Sequence, residues 1–144
     1  MIAVLLAPVA LIAQAQAYTA EQFATLKFLE GRWTGTAPDG TAFFEQYALN
    51  ATSLRMRRFG DPSFVTMSDE SQITLEGGKI GARWDDHSWQ AVELGDGLVR
   101  FEASDAPNGF SLRRVDANTI EVQQRWRDAK GKPQVHALLL HRLK

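Results

Sequence analysis

The run Thr119-Ile120-Glu121-Val122-Gln123-Gln124-Arg125-Trp126-Arg127 decides the fold. Ile120, Val122 and Trp126 recur at every second position or a multiple of it, and Gln124 shares their side. Glu121, Gln123, Arg125 and Arg127 occupy the other side. A period of two is that of a strand with one dry face and one wet face. The same alternation runs outward from this segment. Phe110 and Leu112 alternate with Ser111 and Arg113, and Val99, Phe101 and Ala103 alternate with Arg100 and Glu102. Further upstream, Thr41 to Leu49 is an aromatic-rich strand, and Ser53 to Phe59 is another.

Turn chemistry separates these runs. Pro38-Asp39-Gly40, Gly77-Gly78, Asp85-Asp86, Gly95-Asp96-Gly97, Pro107-Asn108-Gly109, Asp116-Ala117-Asn118 and Lys130-Gly131-Lys132-Pro133 are turn signals. The spacing predicts an all-β chain: an antiparallel up-and-down barrel of about ten strands, because a meander this long closes to remove its edges. A two-sheet sandwich is the alternative. Ahead of the strands, Thr19-Ala20-Glu21-Gln22 has the form of a capping box, and Phe23, Leu26 and Leu29 follow at helical spacing. A short helix over Ala20 to Glu30 is therefore expected, with Gly31 as its stop and its apolar face covering one end of the sheet.

The first residues differ in kind. Ile2 to Ala13 is an uncharged apolar run, and Ala15 and Ala17 fit a small-residue cleavage pattern. Residues 1–17 are expected to be a signal peptide, with a periplasmic or secreted domain over residues 18–144. The apolar run is short for a bilayer span, so no stable membrane insertion is expected after cleavage.

Composition narrows the function. The chain has 144 residues, 44% hydrophobic and 23% charged, with a formal charge of −1 and no cysteine. That length supports a core without metal or disulfide help. The near-zero charge supplies no field to recruit nucleic acid. Alternation splits the basic run Arg55-Met56-Arg57-Arg58 across two faces, leaving Arg55 and Arg57 as a solvated strand edge. Absence of cysteine excludes thiolate nucleophiles and cysteine metal sites. There is no Gly-x-Ser-x-Gly elbow, phosphate loop or His-Glu-x-x-His motif, and no catalytic residue is assigned.

Gly31-Arg32-Trp33, at the helix-to-strand junction, resembles the signature that opens lipocalin-type barrels. Leu29-Glu30-Gly31-Arg32-Trp33, Glu45-Gln46-Tyr47, Leu54 to Arg58, Trp89 to Phe101-Glu102, Pro107 and Phe110 to Val115 extend the likeness. Together they resemble a bacterial family of uncharacterised exported lipocalin-like, calycin-type β-barrel domains over most of Leu26 to Leu143. The resemblance implies a barrel and an export route rather than a reaction.

Polar residues on apolar faces are the informative ones. Glu45 shares a face with Phe43, Tyr47 and Leu49; Arg58 with Leu54 and Met56; Gln124 with Ile120, Val122 and Trp126. Glu45 and Arg58 are expected either to form an internal ion pair or, in the sharper reading, to leave Arg58 and Gln124 gripping a carboxylate or other polar head of a ligand. Trp33, Tyr47, Met56, Trp84, Phe101, Phe110 and Trp126 would form the rest of an apolar pocket, although Trp33 also suits a purely structural closure of the barrel end. The expected partner is a small apolar or amphipathic molecule. An envelope interaction module with a filled barrel is the rival.

Histidines are few. His87, in Asp85-Asp86-His87-Ser88, is expected in a solvated turn rather than at a metal. His136 and His141 are five apart in the last strand, so only one faces inward. A histidine there, behind Gly31-Arg32-Trp33-Thr34-Gly35, resembles nitrobindin-type haem barrels, with Thr36 where that pattern has a third glycine. That resemblance implies haem and chemistry on reactive nitrogen species. His136 is included among the candidate pocket residues.

Overall fold

The computed structural model describes residues 17–144. The segment expected to be a signal peptide therefore lies, but for Ala17, outside the described residues. Ten strands follow one helical segment: β1 (Gly31–Thr36), β2 (Ala42–Leu49), β3 (Ser53–Phe59), β4 (Met67–Glu76), β5 (Lys79–Trp84), β6 (His87–Gly95), β7 (Leu98–Asp105), β8 (Gly109–Asp116), β9 (Thr119–Arg127) and β10 (Pro133–Arg142). Each pairs antiparallel with its sequence neighbour, and β1 pairs with β10 to close the barrel. The sandwich alternative is excluded by that closure. The β1–β10 seam is short, with Trp33 opposite Arg142 and Thr34 opposite His141.

The expected helix is realised differently. Its capping box is present, but the α-helix α1 covers only Ala20–Phe23, and Ala24–Leu29 tighten into a 3₁₀ segment. A 3₁₀ turn stacks residues three apart on one edge. Phe23, Leu26 and Leu29 thereby share a line, and all are fully buried. The Thr25 hydroxyl donates back to the Gln22 carbonyl at 2.6 Å, a local bond that competes with α-helical pairing. Gly31 has φ 125° and opens β1 instead of capping a helix.

This segment closes one end of the barrel. Trp33 sits on it, with its indole N–H donating to the Leu29 carbonyl at 2.8 Å. The Arg142 guanidinium lies 4.2 Å from the Trp33 ring centre and donates to the Glu30 carbonyl at 2.7 Å. A Cβ on Gly31 would come within 2.6 Å of Arg142 Nη1, so this glycine makes room for the clamp. Ile80, Ile120 and Leu140 complete the packing at this end.

Candidate functional site

The inner faces of adjacent strands line up in rungs. Glu45 on β2 faces Arg58 on β3, which faces Asp69 on β4. Tyr47, Met56 and Ser71 form the next rung, and Leu49, Leu54 and Ile73 the one after. Polar side chains thus gather away from the helix and apolar ones toward it. Across the barrel, Phe110 on β8 faces Gln124 on β9, which faces His136 on β10.

Between these walls lies a cavity of about 330 Å³. Its volume falls at the lower end of small-molecule sites. Tyr47, Leu54, Met56, Ile73, Ala82 and Trp89 line one side, and Phe110, Leu112, Val122 and Leu138 line the other. Arg58, Asp69, Trp84, His87, Asn108 and Gln124 surround it at the end opposite the helix. The interior is therefore not filled by its own side chains.

The expected ion pair is present. Arg58 Nη2 is 2.5 Å and Nε 3.2 Å from Glu45 Oε1. The Tyr47 hydroxyl donates to Glu45 Oε2 at 2.9 Å. Burial pushes the Tyr47 phenol well above its ordinary range, and the Glu45 charge adds to that. The Arg58 guanidinium also lies over the Phe43 ring at 4.4 Å. Its side chain keeps 42% of its surface exposed whereas that of Glu45 keeps 5%, so the arginine forms the mouth and the glutamate its base.

The aromatic wall is built from β5, β6 and β8. The Trp84 indole N–H donates to both carboxylate oxygens of Asp69 at 2.8 Å. Trp84 and His87 rings are 5.8 Å apart, and Trp89 meets Phe110 edge-on at 5.4 Å. The Trp89 N–H donates to the Asn108 carbonyl at 2.7 Å, tying this wall to the β7–β8 turn.

Of the expected pocket residues, Glu45, Tyr47, Met56, Arg58, Trp84, Phe110 and Gln124 line the cavity. Four others are not among its lining residues. Trp33 belongs to the closed end. Phe101 is fully buried and stacks at 4.8 Å on Phe110, whose ring is the one presented to the cavity. Trp126 lies beyond the start of β8, whose Gly109 already faces Arg125, and is 39% exposed at the rim. His136 shares the inward face with Leu138 and Leu140, but stands apart from the cavity. Its Nε2 is buried with no hydrogen-bond partner among the described residues. His141 lies on the outward, exposed face.

His87 corrects the expectation of a solvated turn. It begins β6 and lines the cavity. The turn is only Asp85-Asp86, so the chain has already re-entered the sheet at His87. Asp69, Ser71 and Trp89 were not anticipated at all. Arg55 and Arg57 face outward and pair with Glu70, at 3.6 and 3.0 Å. His136 is the cross-strand neighbour of cavity-lining Gln124 but is not itself among the residues bordering the cavity, so no histidine of the last strand is shown at the open space. No group of three or more metal-ligating side chains occurs among the described residues.

No protein-family description matches the sequence, and no curated protein matches it. Among solved structures, EF1p2_mFAP2b bound to DFHBI is 12% identical, with TM-score 0.42, over 83% of this chain and 97% of that one. A redesigned β-barrel is 14% identical, with TM-score 0.39, over 83% and 96%. The fold assignment rests on the strand pairing described above.

Proposed function

We propose that this protein binds one small, mainly apolar molecule inside its barrel, as a carrier or sequestering protein without covalent chemistry. The observation that carries this reading is the 330 Å³ cavity, apolar along its walls and polar at its mouth. Each ligand methylene taken out of water there contributes about 0.8 kcal/mol. The polar groups at the mouth set which end of the ligand enters last. The unfilled interior disfavours a filled barrel that merely displays loops.

The reading includes export. Cleavage after residue 17 would leave a single domain starting at Tyr18, outside the cytoplasm. The Tyr18 backbone nitrogen donates to the Gly78 carbonyl at 2.7 Å, a bond that the α-ammonium of such a chain also makes. Among the described residues no helix is long and apolar enough to cross a membrane.

Two measurements test the proposal. Native mass spectrometry of protein purified from cells is expected to show a co-purifying small molecule. Titration with an apolar fluorescent dye is expected to saturate at one site per chain. A folded protein that takes up no dye and carries no molecule overturns it.

A further inference from the structure

We infer that the ligand carries a cationic end, an amine or quaternary ammonium, seated on Asp69 at the mouth of the cavity. This rests on the reading of the cavity as a binding site, and it differs from the sequence-based expectation of a carboxylate or other polar head held by Arg58 and Gln124.

The charges at the mouth divide unevenly. Arg58 has Asp69 as its neighbour on β4, yet its guanidinium reaches the other way, to Glu45 on β2. Glu45 and Arg58 therefore neutralise each other. Asp69 makes no ion pair among the described residues. Its partners are the Trp84 indole N–H and the Glu70 backbone N–H, the latter at 2.9 Å. Neutral donors steady a carboxylate but leave its charge uncompensated, and a carboxylate retains further acceptor capacity after these bonds. Arg83, the other cation bordering this space, stands in the row Gln72, Arg83, Ser88 and alternates with buried Ala82. That row faces outward.

The groups beside Asp69 favour the same sign. Trp84 is bonded to it directly, His87 lies 5.8 Å from Trp84 ring to ring, and Trp89 lies 6.1 Å from His87. The two indoles are better surfaces for an ammonium than for a carboxylate, and they leave the apolar body of the ligand in contact with the deeper wall. An anion would meet two carboxylates and an arginine already paired.

Octylammonium, octanol and octanoate separate these cases, because they share one apolar chain and differ only at the end. Calorimetric titration at neutral pH is expected to rank octylammonium first, about tenfold tighter than octanol, with octanoate weakest. Added salt is expected to narrow the gap. Asp69→Asn keeps an acceptor for the Trp84 N–H, and is expected to bring octylammonium binding down to the level of octanol binding measured on the same variant. If octylammonium binds no tighter than octanol to the wild-type protein, the inference is wrong. Octanol binding would then keep the cavity reading, whereas failure of octanol as well would remove both. An ammonium advantage that survives Asp69→Asn would also overturn the assignment to this residue.

Discussion

Glu45 and Arg58 face each other across β2 and β3, and the pair is buried at the carboxylate and open at the guanidinium. That asymmetry makes the two residues unequal under substitution. Removing the arginine leaves a buried carboxylate with the Tyr47 hydroxyl as its remaining side-chain partner. Arg58→Leu is expected to destabilise by about 2–3 kcal/mol, less than a fully buried pair because the guanidinium already reaches water. Urea unfolding of Arg58→Leu, Glu45→Leu and the double variant measures this. The double variant is expected to recover much of the loss, and strict additivity would show that the pair is not coupled.

Tyr47 gives a pH signature. Its folded pKa is raised by burial and by Glu45, so the folded state holds the phenolic proton after the unfolded chain has released it. The unfolded state then binds fewer protons, and stability falls as pH rises from about 10 toward the folded value. Tyr47→Phe is expected to flatten that alkaline decline, at a cost near neutrality of about 1 kcal/mol for the lost bond to Glu45. Identical alkaline slopes for the two proteins would contradict the assignment.

Filling the cavity is expected to abolish binding without unfolding the barrel. Ala82 is buried, borders the open space and faces Ile73 and Trp89 on the neighbouring strands. Ala82→Phe places a ring in the ligand's volume, with a stability change of no more than about 1–3 kcal/mol. Dye titration and thermal melting, run together, check both halves of this expectation.

Gly35 is held by packing rather than by backbone conformation. A Cβ there would come within 2.6 Å of Phe43 Cζ and 2.8 Å of Leu140 Cδ2. Gly35→Ala is expected to cost about 1–3 kcal/mol. Phe43→Leu shortens the blocking side chain, so the cost of Gly35→Ala is expected to shrink in that background. An equal cost in both backgrounds would argue against this steric origin.

Much of the site was legible as a face and little of it as a position. Alternation placed Tyr47, Met56, Arg58, Phe110 and Gln124 inside, and they do line the cavity. It also placed Phe101 and Trp126 on inward faces, but Phe101 is covered by the Phe110 ring and Trp126 lies beyond the start of β8, and it did not decide which of His136 and His141 faces inward. A period of two reports the side of a sheet, not the stagger between strands. β4 gave no signal, because Asp69 and Ser71 face inward while Ser68, Glu70 and Gln72 alternate with them, so both faces of that stretch are polar. The same polarity that makes the mouth suitable for a ligand hides the strand that supplies it.

By itself the sequence determined the all-β class, a count of about ten strands, most of the turns, the capping box and part of the inward set, since each depends on residues a few positions apart. Only the tertiary structure decided that Asp69 stands beside Trp84, that Arg58 turns to Glu45, and that the helical segment tightens to bury Phe23, Leu26 and Leu29 together. Those outcomes depend on how strands distant in the chain register when the sheet closes. Register is set by the packing of the whole interior rather than by any one segment.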